Sequence, residues 1–290
     1  MPFAASGEAK IFYDVDGDGP PLVFLHGGGS NGAGWWRQIG HFRQTRRCIV
    51  IDNRCFGRSE PVDPSIYWPK LFVNDVLAVL DRLDIAAAPF VCQSLGGWTG
   101  LRLALSHPDR ITHLVVSSSP MGIDSREAMA DAQRFARSVG KEGQDIETAA
   151  LGASFRQQHP ELIWLYRQIS AFNRLNDRGD GGPLPVHERT RRLFAPDYVV
   201  SKERLAEVVC PTLLIAGAED RIVTSRTAKG FADLIPGAEY AQIEGAGHSP
   251  YFETPERYNE IVSSFLARHA ATDRGRFEAD VAPERGTEQA

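Results

Sequence analysis

The sequence predicts an α/β fold in which helices flank a mostly parallel central sheet. Short runs of apolar and β-branched residues alternate with stretches that carry apolar residues at helical spacing. Because strand, helix and strand in succession form a crossover unit, this alternation is typical of parallel sheets. A third observation concerns the stretch between Ser119 and Pro211, which is helix-prone and has no strong strand pattern. It predicts a helical lid, inserted before the strand near residue 211.

The first part of the chain supplies most of the predicted elements. Apolar runs bounded by turn residues predict strands at Lys10–Val15, Pro21–His26, Arg47–Asp52, Pro89–Gln93 and Ile111–Ser118. Apolar residues spaced by three and four predict helices at Tyr67–Asp84 and Leu95–His107. Strands and helices therefore alternate from about residue 67 to the start of the lid.

The last part of the chain returns to the same alternation. Pro211–Gly217 and Glu239–Glu244 are predicted strands, and Pro255–His269 is a predicted amphipathic helix. We therefore assign the chain to three parts: an α/β core at 1–120 and 206–270, a helical lid at 121–205, and a charged tail at 271–290. The composition of the tail predicts disorder or a remnant of expression.

Composition excludes several classes of protein. The chain has 290 residues, with 32 Lys and Arg against 37 Asp and Glu, and a net charge of −5. A nucleic-acid-binding domain normally carries a basic face, so this balance argues against one. No apolar run approaches the roughly 20 residues that cross a bilayer, and the N-terminus does not resemble a signal peptide. We expect a cytoplasmic protein with a small-molecule substrate and no nucleic-acid or membrane partner, and a homo-oligomer is compatible with the sequence.

The four cysteines indicate neither a disulfide framework nor a metal site. The sequence has no C-x-x-C pair and no Cys/His spacing of the zinc-binding type. It also lacks the phosphate-binding pattern G-x-x-x-x-G-K-[ST]. We therefore expect reduced thiols, no metal and no cofactor.

The segment Phe90–Gly97 carries the first chemical signal. It is a predicted strand, then Ser94, then the glycine-rich start of a predicted helix. A serine on such a sharp turn projects its hydroxyl, and the N-terminus of the new helix offers a free N–H to an oxyanion. The usual G-x-S-x-G pattern has its second glycine at Gly96, but Cys92 replaces the first. Taken alone, the pattern also fits a serine that only caps the helix.

Three further segments follow predicted strands and carry complementary groups. The turn at 26–29, His-Gly-Gly-Gly, lets a backbone N–H approach a ligand closely, although it also fits a plain turn. Asp220, with Glu219 beside it, follows the strand that starts near residue 211. His248 lies on a glycine-rich loop after the last predicted strand. A lone loop histidine is usually a surface residue, but here a serine and an aspartate precede it in order.

These motifs together resemble the α/β-hydrolase superfamily, in its branch of small esterases, enol-lactonases, C–C hydrolases and cofactor-free haloperoxidases. The resemblance covers residues 8–268 and includes the chain order serine, aspartate, histidine. The segment Asp52–Ser59 is similar to the family loop D-x-R-G-x-G-x-S, with Cys55 in place of the first glycine, and Pro255–Leu266 is similar to the closing helix. The resemblance implies the α/β-hydrolase fold.

The resemblance also implies a catalytic role for three side chains. Ser94 would be the nucleophile, and His248 would be the base that activates it and later the general acid. Asp220 would orient the imidazole and stabilise its protonated form. Glu219 is a rival for the acid, and Asp124 is a second rival because some members of the family take their acid at that point.

Contacts to the substrate are the next expectation. The resemblance implies an oxyanion hole formed by the backbone N–H groups of Gly28 and Leu95. The lid aromatics, Trp164 among them, either line an apolar pocket or pack in the lid's own core, and one of the tryptophans near the oxyanion loop and the serine is expected to touch substrate. The candidates for substrate binding are His26, Gly27, Trp36, Trp98 and Trp164.

Cys55 and Cys92 both depart from the family pattern. One interpretation is that a small side chain is tolerated in place of each glycine. The other is a slightly reshaped serine turn, or a thiol near the site that makes activity sensitive to oxidants. Cys92 is not a candidate nucleophile, because it lies inside the strand before the turn.

Three functions stay open at this point. The first is hydrolysis of a carboxylic ester or lactone of a small, partly apolar molecule, since Asp52-x-Arg54 resembles the esterase and enol-lactonase branch. The second is hydrolytic C–C cleavage of a vinylogous diketone, although those enzymes usually have D-x-P-G in that loop. The third is a ligand receptor without catalysis. A serine at position 94 argues against haloalkane dehalogenases and epoxide hydrolases, which have aspartate there in the family pattern.

Overall fold

The computed structural model describes residues 2–142, 146–173 and 186–270 of the chain. Ten strands lie within these ranges: β1 (Phe3–Ser6), β2 (Ala9–Asp16), β3 (Pro21–Leu25), β4 (Arg47–Ile51), β5 (Ala88–Gln93), β6 (Ile111–Ser117), β7 (Ile123–Asp124), β8 (Val200–Ser201), β9 (Thr212–Gly217) and β10 (Glu239–Ile243). Eight of them form one sheet in the order β1-β2-β4-β3-β5-β6-β9-β10, and β7 pairs with β8.

The main sheet is parallel except at one edge. The six strands from β4 across to β10 pair in parallel, which confirms the predicted mostly parallel sheet. At the edge, β1 and β2 form an antiparallel hairpin, and β2 pairs antiparallel with β4. The chain places β4 and β5 on opposite sides of β3, so the strand order reverses there. The carboxyl ends of β3 and β5 therefore border the crevice in which such sheets bind ligands.

Helices cover both faces of the sheet. The α-helices in the described ranges are α1 (Trp36–Phe42), α2 (Phe72–Arg82), α3 (Leu95–Ser106), α4 (Arg126–Glu142), α5 (Ile146–Ala150), α6 (Ala153–Gln158), α7 (Pro160–Ala171), α8 (Val186–Leu193), α9 (Ser225–Ala232), α10 (Pro250–Glu253) and α11 (Pro255–Arg268). One core cluster packs α2, α3 and α9 against the sheet, and a second packs α1 and α11 against the other face.

The two cores explain the composition of the central strands. Successive side chains of a strand point to opposite faces, so a strand covered on both sides needs apolar residues throughout. In β5, Phe90 and Cys92 join the first cluster, whereas Val91 joins the second. The apolar runs that predict these strands are therefore continuous, without polar residues at alternate positions.

The segment between β6 and β9 contains β7, the helices α4 to α8, and β8. Pairing of β7 with β8 brings the two ends of this segment together. Arg102 of α3 fastens them, since its guanidinium donates hydrogen bonds to the backbone carbonyls of Met121 (2.6 Å), Gly122 (3.2 Å) and Tyr198 (3.1 Å). Strands of two residues are too short to leave a pattern in the sequence, which explains why only helices are predicted here.

The predicted tail at 271–290 lies outside the described residues. Over the ranges that the structure describes, no helix combines the length and the apolar character needed to cross a membrane. The lid boundaries at 121 and 205 stay a prediction.

Candidate active site

Ser94 occupies a strained turn between β5 and α3. Its φ of 47° and ψ of −109° lie where a residue with a side chain is rarely found, so the surrounding packing must hold it there. Small residues make that packing possible: a Cβ on Gly96 would lie 2.3 Å from the carbonyl oxygen of Leu25, and one on Gly97 would lie 2.5 Å from Oγ of Ser119. The Ser119 hydroxyl also donates to the carbonyl of Ser94 at 2.6 Å.

Cys92 fits before this turn because Gly100 of α3 leaves space for its side chain. Its side chain points away from Ser94 towards α3, where a Cβ on Gly100 would lie only 2.8 Å from the sulfur. Gly100 therefore provides the space that the Cys92 side chain occupies. Burial raises the pKa of the Cys92 thiol far above its usual range, so the thiol is protonated and unreactive near neutral pH.

Cys55 also replaces a family glycine, and its backbone has a conformation that glycine prefers. Its φ is 68°, in the left-handed region that favours glycine. The side chain is buried, its sulfur lies 3.4 Å from the carbonyl of Asp63, and burial raises the pKa of the thiol to about 11. The chemistry of both thiols favours tolerated packing residues over an oxidant-sensitive group.

His248 lies between Ser94 and Asp220. Its Nε2 is 3.0 Å from the Ser94 hydroxyl oxygen, and its Nδ1 is 3.0 Å from Oδ2 and 3.2 Å from Oδ1 of Asp220. Because a carboxylate only accepts, the Nδ1 proton points at Asp220 and the Nε2 lone pair faces the serine. The imidazole and the carboxylate are both buried, at 6% and 4% exposure.

The two neighbouring carboxylates after β9 point in different directions. Asp220 is held by the backbone N–H groups of Ile222 (2.8 Å) and Val223 (3.0 Å), which orient it towards His248. Glu219 instead accepts from the N–H of Ser154 at 2.9 Å and from its hydroxyl, at the start of α6. Asp124 is exposed on β7. Of the three acids predicted, the structure therefore places Asp220 against the imidazole.

The two proposed oxyanion donors belong to two turns that lie side by side. Leu95 is the first residue of α3, so its N–H has no acceptor within the helix. A Cβ on Gly28 would lie 3.7 Å from the Leu95 side chain, which places the glycine turn beside the serine turn. Gly27 is needed for this approach, because a Cβ there would lie 1.9 Å from the side-chain oxygen of Gln93 and 3.1 Å from Cβ of Ser94.

His26 holds the glycine turn in place through two hydrogen bonds of its ring. Its Nδ1–H donates to the carbonyl of Gly27 at 2.7 Å, and its Nε2 accepts from the backbone N–H of Asn53 at 2.9 Å. These two bonds fix one neutral tautomer, and burial lowers the pKa of the imidazole, which keeps it neutral. Both ring nitrogens are used within the protein, so the structure places His26 as a brace between two loops and not as a polar contact for substrate.

The three candidate tryptophans lie in different environments. Trp98 is buried, with its ring stacked on Tyr198 (centroids 6.0 Å apart) and edge-on to Phe194, so it joins α3 to the segment between β6 and β9. Trp36 is 46% exposed beside Arg37, and Trp164 on α7 is 66% exposed. The structure brings neither of the exposed rings into a described contact with the Ser94–His248 pair.

Several supporting residues carry no signal in the sequence. Gln93 donates its side-chain amide to the carbonyl of His248 at 3.0 Å. Asn173, two residues after α7 ends, accepts from the N–H of Gly57 (3.1 Å) and donates to the carbonyl of Ser30 (2.9 Å), which ties the helical segment to the glycine turn. These contacts join residues far apart in the chain, so no local motif announces them.

Comparison with known proteins gives a family for this arrangement. The model of the alpha/beta hydrolase fold family matches residues 20–255, which is most of the chain. The chain belongs to the α/β-hydrolase family. It is a hydrolase, and its mostly parallel sheet flanked by helices is that of the family fold.

Similar proteins cover nearly the whole chain. A protein of Azorhizobium caulinodans that carries the provisional name carbamate hydrolase RutD is 27% identical over 91% of this chain and 98% of its own. The 3-oxoadipate enol-lactonase 2 of Acinetobacter baylyi is 28% identical over 87% of this chain and 90% of its own. Among solved structures, Est816, described as an N-acyl homoserine lactone degrading enzyme, is 31% identical with a TM-score of 0.70, over 91% of this chain and 100% of that one.

Proposed function

We propose that this hydrolase cleaves a carboxylic ester or lactone of a small, partly apolar molecule through Ser94, His248 and Asp220. The observation that carries the proposal is the continuous chain of contacts from Ser94 Oγ to His248 Nε2 (3.0 Å) and from Nδ1 to Asp220 (3.0 Å). Nucleophile and base lie within hydrogen-bond reach, and the base is oriented by an acid, as acyl transfer requires.

The geometry accounts for each step of such a reaction. Ser94 Oγ attacks the carbonyl carbon while its proton passes to Nε2 of His248, and the new oxyanion accepts from the N–H groups of Gly28 and Leu95. The C–O bond to the leaving alcohol then breaks, and Nε2–H protonates that alcohol. Water, deprotonated by Nε2 of His248, then attacks the acyl-enzyme. The ester bond to Ser94 Oγ breaks and Nε2–H returns a proton to Oγ, which releases the acid and regenerates Ser94.

A mainly apolar cavity lies where the two ends of the helical segment meet the loop that follows Asp220, and we propose that it takes the apolar part of the substrate. Its volume is about 530 Å³, and its lining includes Met129 and Phe194 from the helical segment and Ile222, two residues after Asp220. Met129 and Phe194, which line this cavity, are 45% and 38% exposed. The enol-lactonase and homoserine lactone degrading relatives support a cyclic or open ester.

The test compares initial rates on short aryl esters, small lactones and a carbamate ester. Ser94→Ala is expected to lower kcat at least about 10⁴-fold while the protein stays folded. Ser106→Ala is the matched control, because this exposed serine ends the same helix and lies away from His248. Retention of most activity in Ser94→Ala, or an equal loss in Ser106→Ala, contradicts the proposal.

The same panel, extended by a ring-cleavage dienoate, separates the other two functions. Fast cleavage of a ring-cleavage dienoate with poor turnover of every ester and lactone would replace the proposal by hydrolytic C–C cleavage. Absence of turnover together with saturable binding of a lactone, equal in wild type and Ser94→Ala, would replace it by a receptor without catalysis.

A further inference from the structure

Glu253 is a buried carboxylate that the proposed reaction does not use. It ends α10, five residues after His248, and is 5% exposed. Its Oε2 accepts from the backbone N–H groups of Gly152 (2.7 Å) and Gly247 (2.8 Å), and its Oε1 accepts from that of Ser249 (2.9 Å). One side chain thus binds three backbone donors.

The three donors belong to two separate parts of the chain. Gly247 and Ser249 flank His248, so the carboxylate holds the backbone on both sides of the base. Gly152 belongs to the short turn between α5 and α6. The same turn region accepts from His248 directly, since the His248 N–H donates to the carbonyl of Ala150 at 2.9 Å. Glu253 therefore joins the histidine loop to the helical segment.

The two backbones meet so closely that no larger residues fit. A Cβ on Gly247 would lie 2.3 Å from the backbone nitrogen of Gly152, and one on Gly152 would lie 2.9 Å from that of Gly247. The backbone N–H groups of both glycines are buried at this contact, so each needs an acceptor. The single oxygen Oε2 supplies it for both.

The carboxylate also adds charge close to the proposed triad. Burial and the nearby Asp220 raise the pKa of Glu253 to about 7, against the three N–H donors that lower it. The other titratable groups around it are Glu219 near Gly152, His248 on its own loop, Tyr251 on α10, and Tyr166, whose hydroxyl lies 2.7 Å from that of Ser249.

We infer that Glu253 is a positioning residue for hydrolysis: it clamps the backbone around His248 to the turn between α5 and α6 and so fixes Nε2 at bonding distance from Ser94. This inference rests on the proposed function, because it acts through His248 as the base. Without the clamp, the histidine loop separates from Gly152 and the imidazole loses its fixed distance to the serine. Misplacement by about 1 Å typically lowers kcat about 100-fold.

The test is a kinetic comparison of Glu253→Ala and Glu253→Gln with wild type, each normalised to the number of reactive serines by titration with an aryl phosphonate. We expect kcat per reactive site to fall about 100-fold in Glu253→Ala with KM within about twofold. Glu253→Gln keeps one acceptor oxygen and should recover part of the loss. Glu256→Ala, which removes an exposed carboxylate of α11 paired with Arg37, should leave kcat and KM unchanged.

A purely structural role gives a different result. It would lower the number of reactive sites and the melting temperature while kcat per site stayed at the wild-type value, and that outcome overturns the inference. Should the variants not fold, hydrogen exchange of the wild type decides, since the amides of Gly152, Gly247 and Ser249 must be protected together and exchange at unprotected rates refutes the clamp. An active Ser94→Ala removes the proposed function itself, whereas an inactive Ser94→Ala with an unaffected Glu253→Ala removes only this inference.

Discussion

Gly96→Ala probes how closely α3 must approach β3 to hold Ser94 in place. A Cβ at this position would lie 2.3 Å from the carbonyl oxygen of Leu25, 2.8 Å from its carbonyl carbon and 2.9 Å from its Cβ. All three atoms belong to a central strand, so none can move aside as the end of a flexible side chain would. The helix must retreat instead.

The size of the retreat follows from these distances. Ordinary contact begins at 3.4 Å, so the first turn of α3 must move by about 1 Å to accept the methyl group. Such overpacking costs about 1–3 kcal/mol of unfolding free energy, partly offset by about 1 kcal/mol from the better helix propensity of alanine. The same movement displaces the N–H of Leu95, so kcat for ester hydrolysis should fall about 100-fold.

Gly40→Ala is the matched control for this prediction. Gly40 lies in α1 with an ordinary backbone conformation, and nothing lies within 4 Å of the Cβ that the substitution adds. The unfolding free energy should therefore rise by about 1 kcal/mol with kcat unchanged. Urea unfolding and initial rates on an aryl ester measure both variants. A Gly96→Ala protein as stable and as active as Gly40→Ala would show that the serine turn does not depend on this contact.

Three further predictions follow from the site. Asp220→Asn should lower kcat about 10⁴-fold, because it favours the wrong imidazole tautomer, whereas Glu219→Gln should keep kcat within about threefold of the wild-type value. If initial rates rank the two variants in the reverse order, Glu219 is the acid. All four cysteines are buried, so a thiol reagent such as Ellman's should react with fewer than one per folded chain and with all four after unfolding in urea; rapid reaction of the native protein would contradict this. The pKa of Glu253 is raised to about 7 in the folded state, so between pH 4.5 and about 7 the folded chain keeps a proton that the unfolded chain loses. The unfolding free energy should therefore fall by about 3 kcal/mol as the pH rises through this range. Urea titrations in which Glu253→Gln shows the same fall as wild type would contradict that assignment.

The sequence predicts the central sheet well because its strands are buried on both faces. Runs such as Phe90–Cys92 are apolar throughout and are followed by turn residues, so they are visible without any knowledge of their partners. The edge strand β1 has only four residues, and β7 and β8, with two residues each, depend on pairing with each other across the helical segment. No local pattern distinguishes them from loops.

The candidate site divides in the same way. Ser94, Asp220 and His248 each follow a strand and lie in a glycine-containing motif, so local sequence and family resemblance are sufficient to select them. The role inferred for Glu253 depends on three hydrogen bonds, one of them to a residue 101 positions away in the sequence. For His26 the outcome is the opposite: its place in the glycine motif suggests a substrate contact, but its Nδ1–H donates to the carbonyl of Gly27 and its Nε2 accepts from the backbone N–H of Asn53 in another loop. Long-range hydrogen bonding of this kind is not written in any local pattern.

The fastening of the helical segment at β7, β8 and Arg102 has an evolutionary consequence. Its ends leave the sheet side by side, held by strand pairing and by one guanidinium, whatever lies between them. Once the ends are joined, doubling the intervening length costs only about 0.6 kcal/mol of closure entropy. The helical segment can therefore be replaced by another of different length without a change in the sheet, and new substrate ranges can arise in this way. A replacement segment would still have to present a backbone N–H to Glu253 where Gly152 now does.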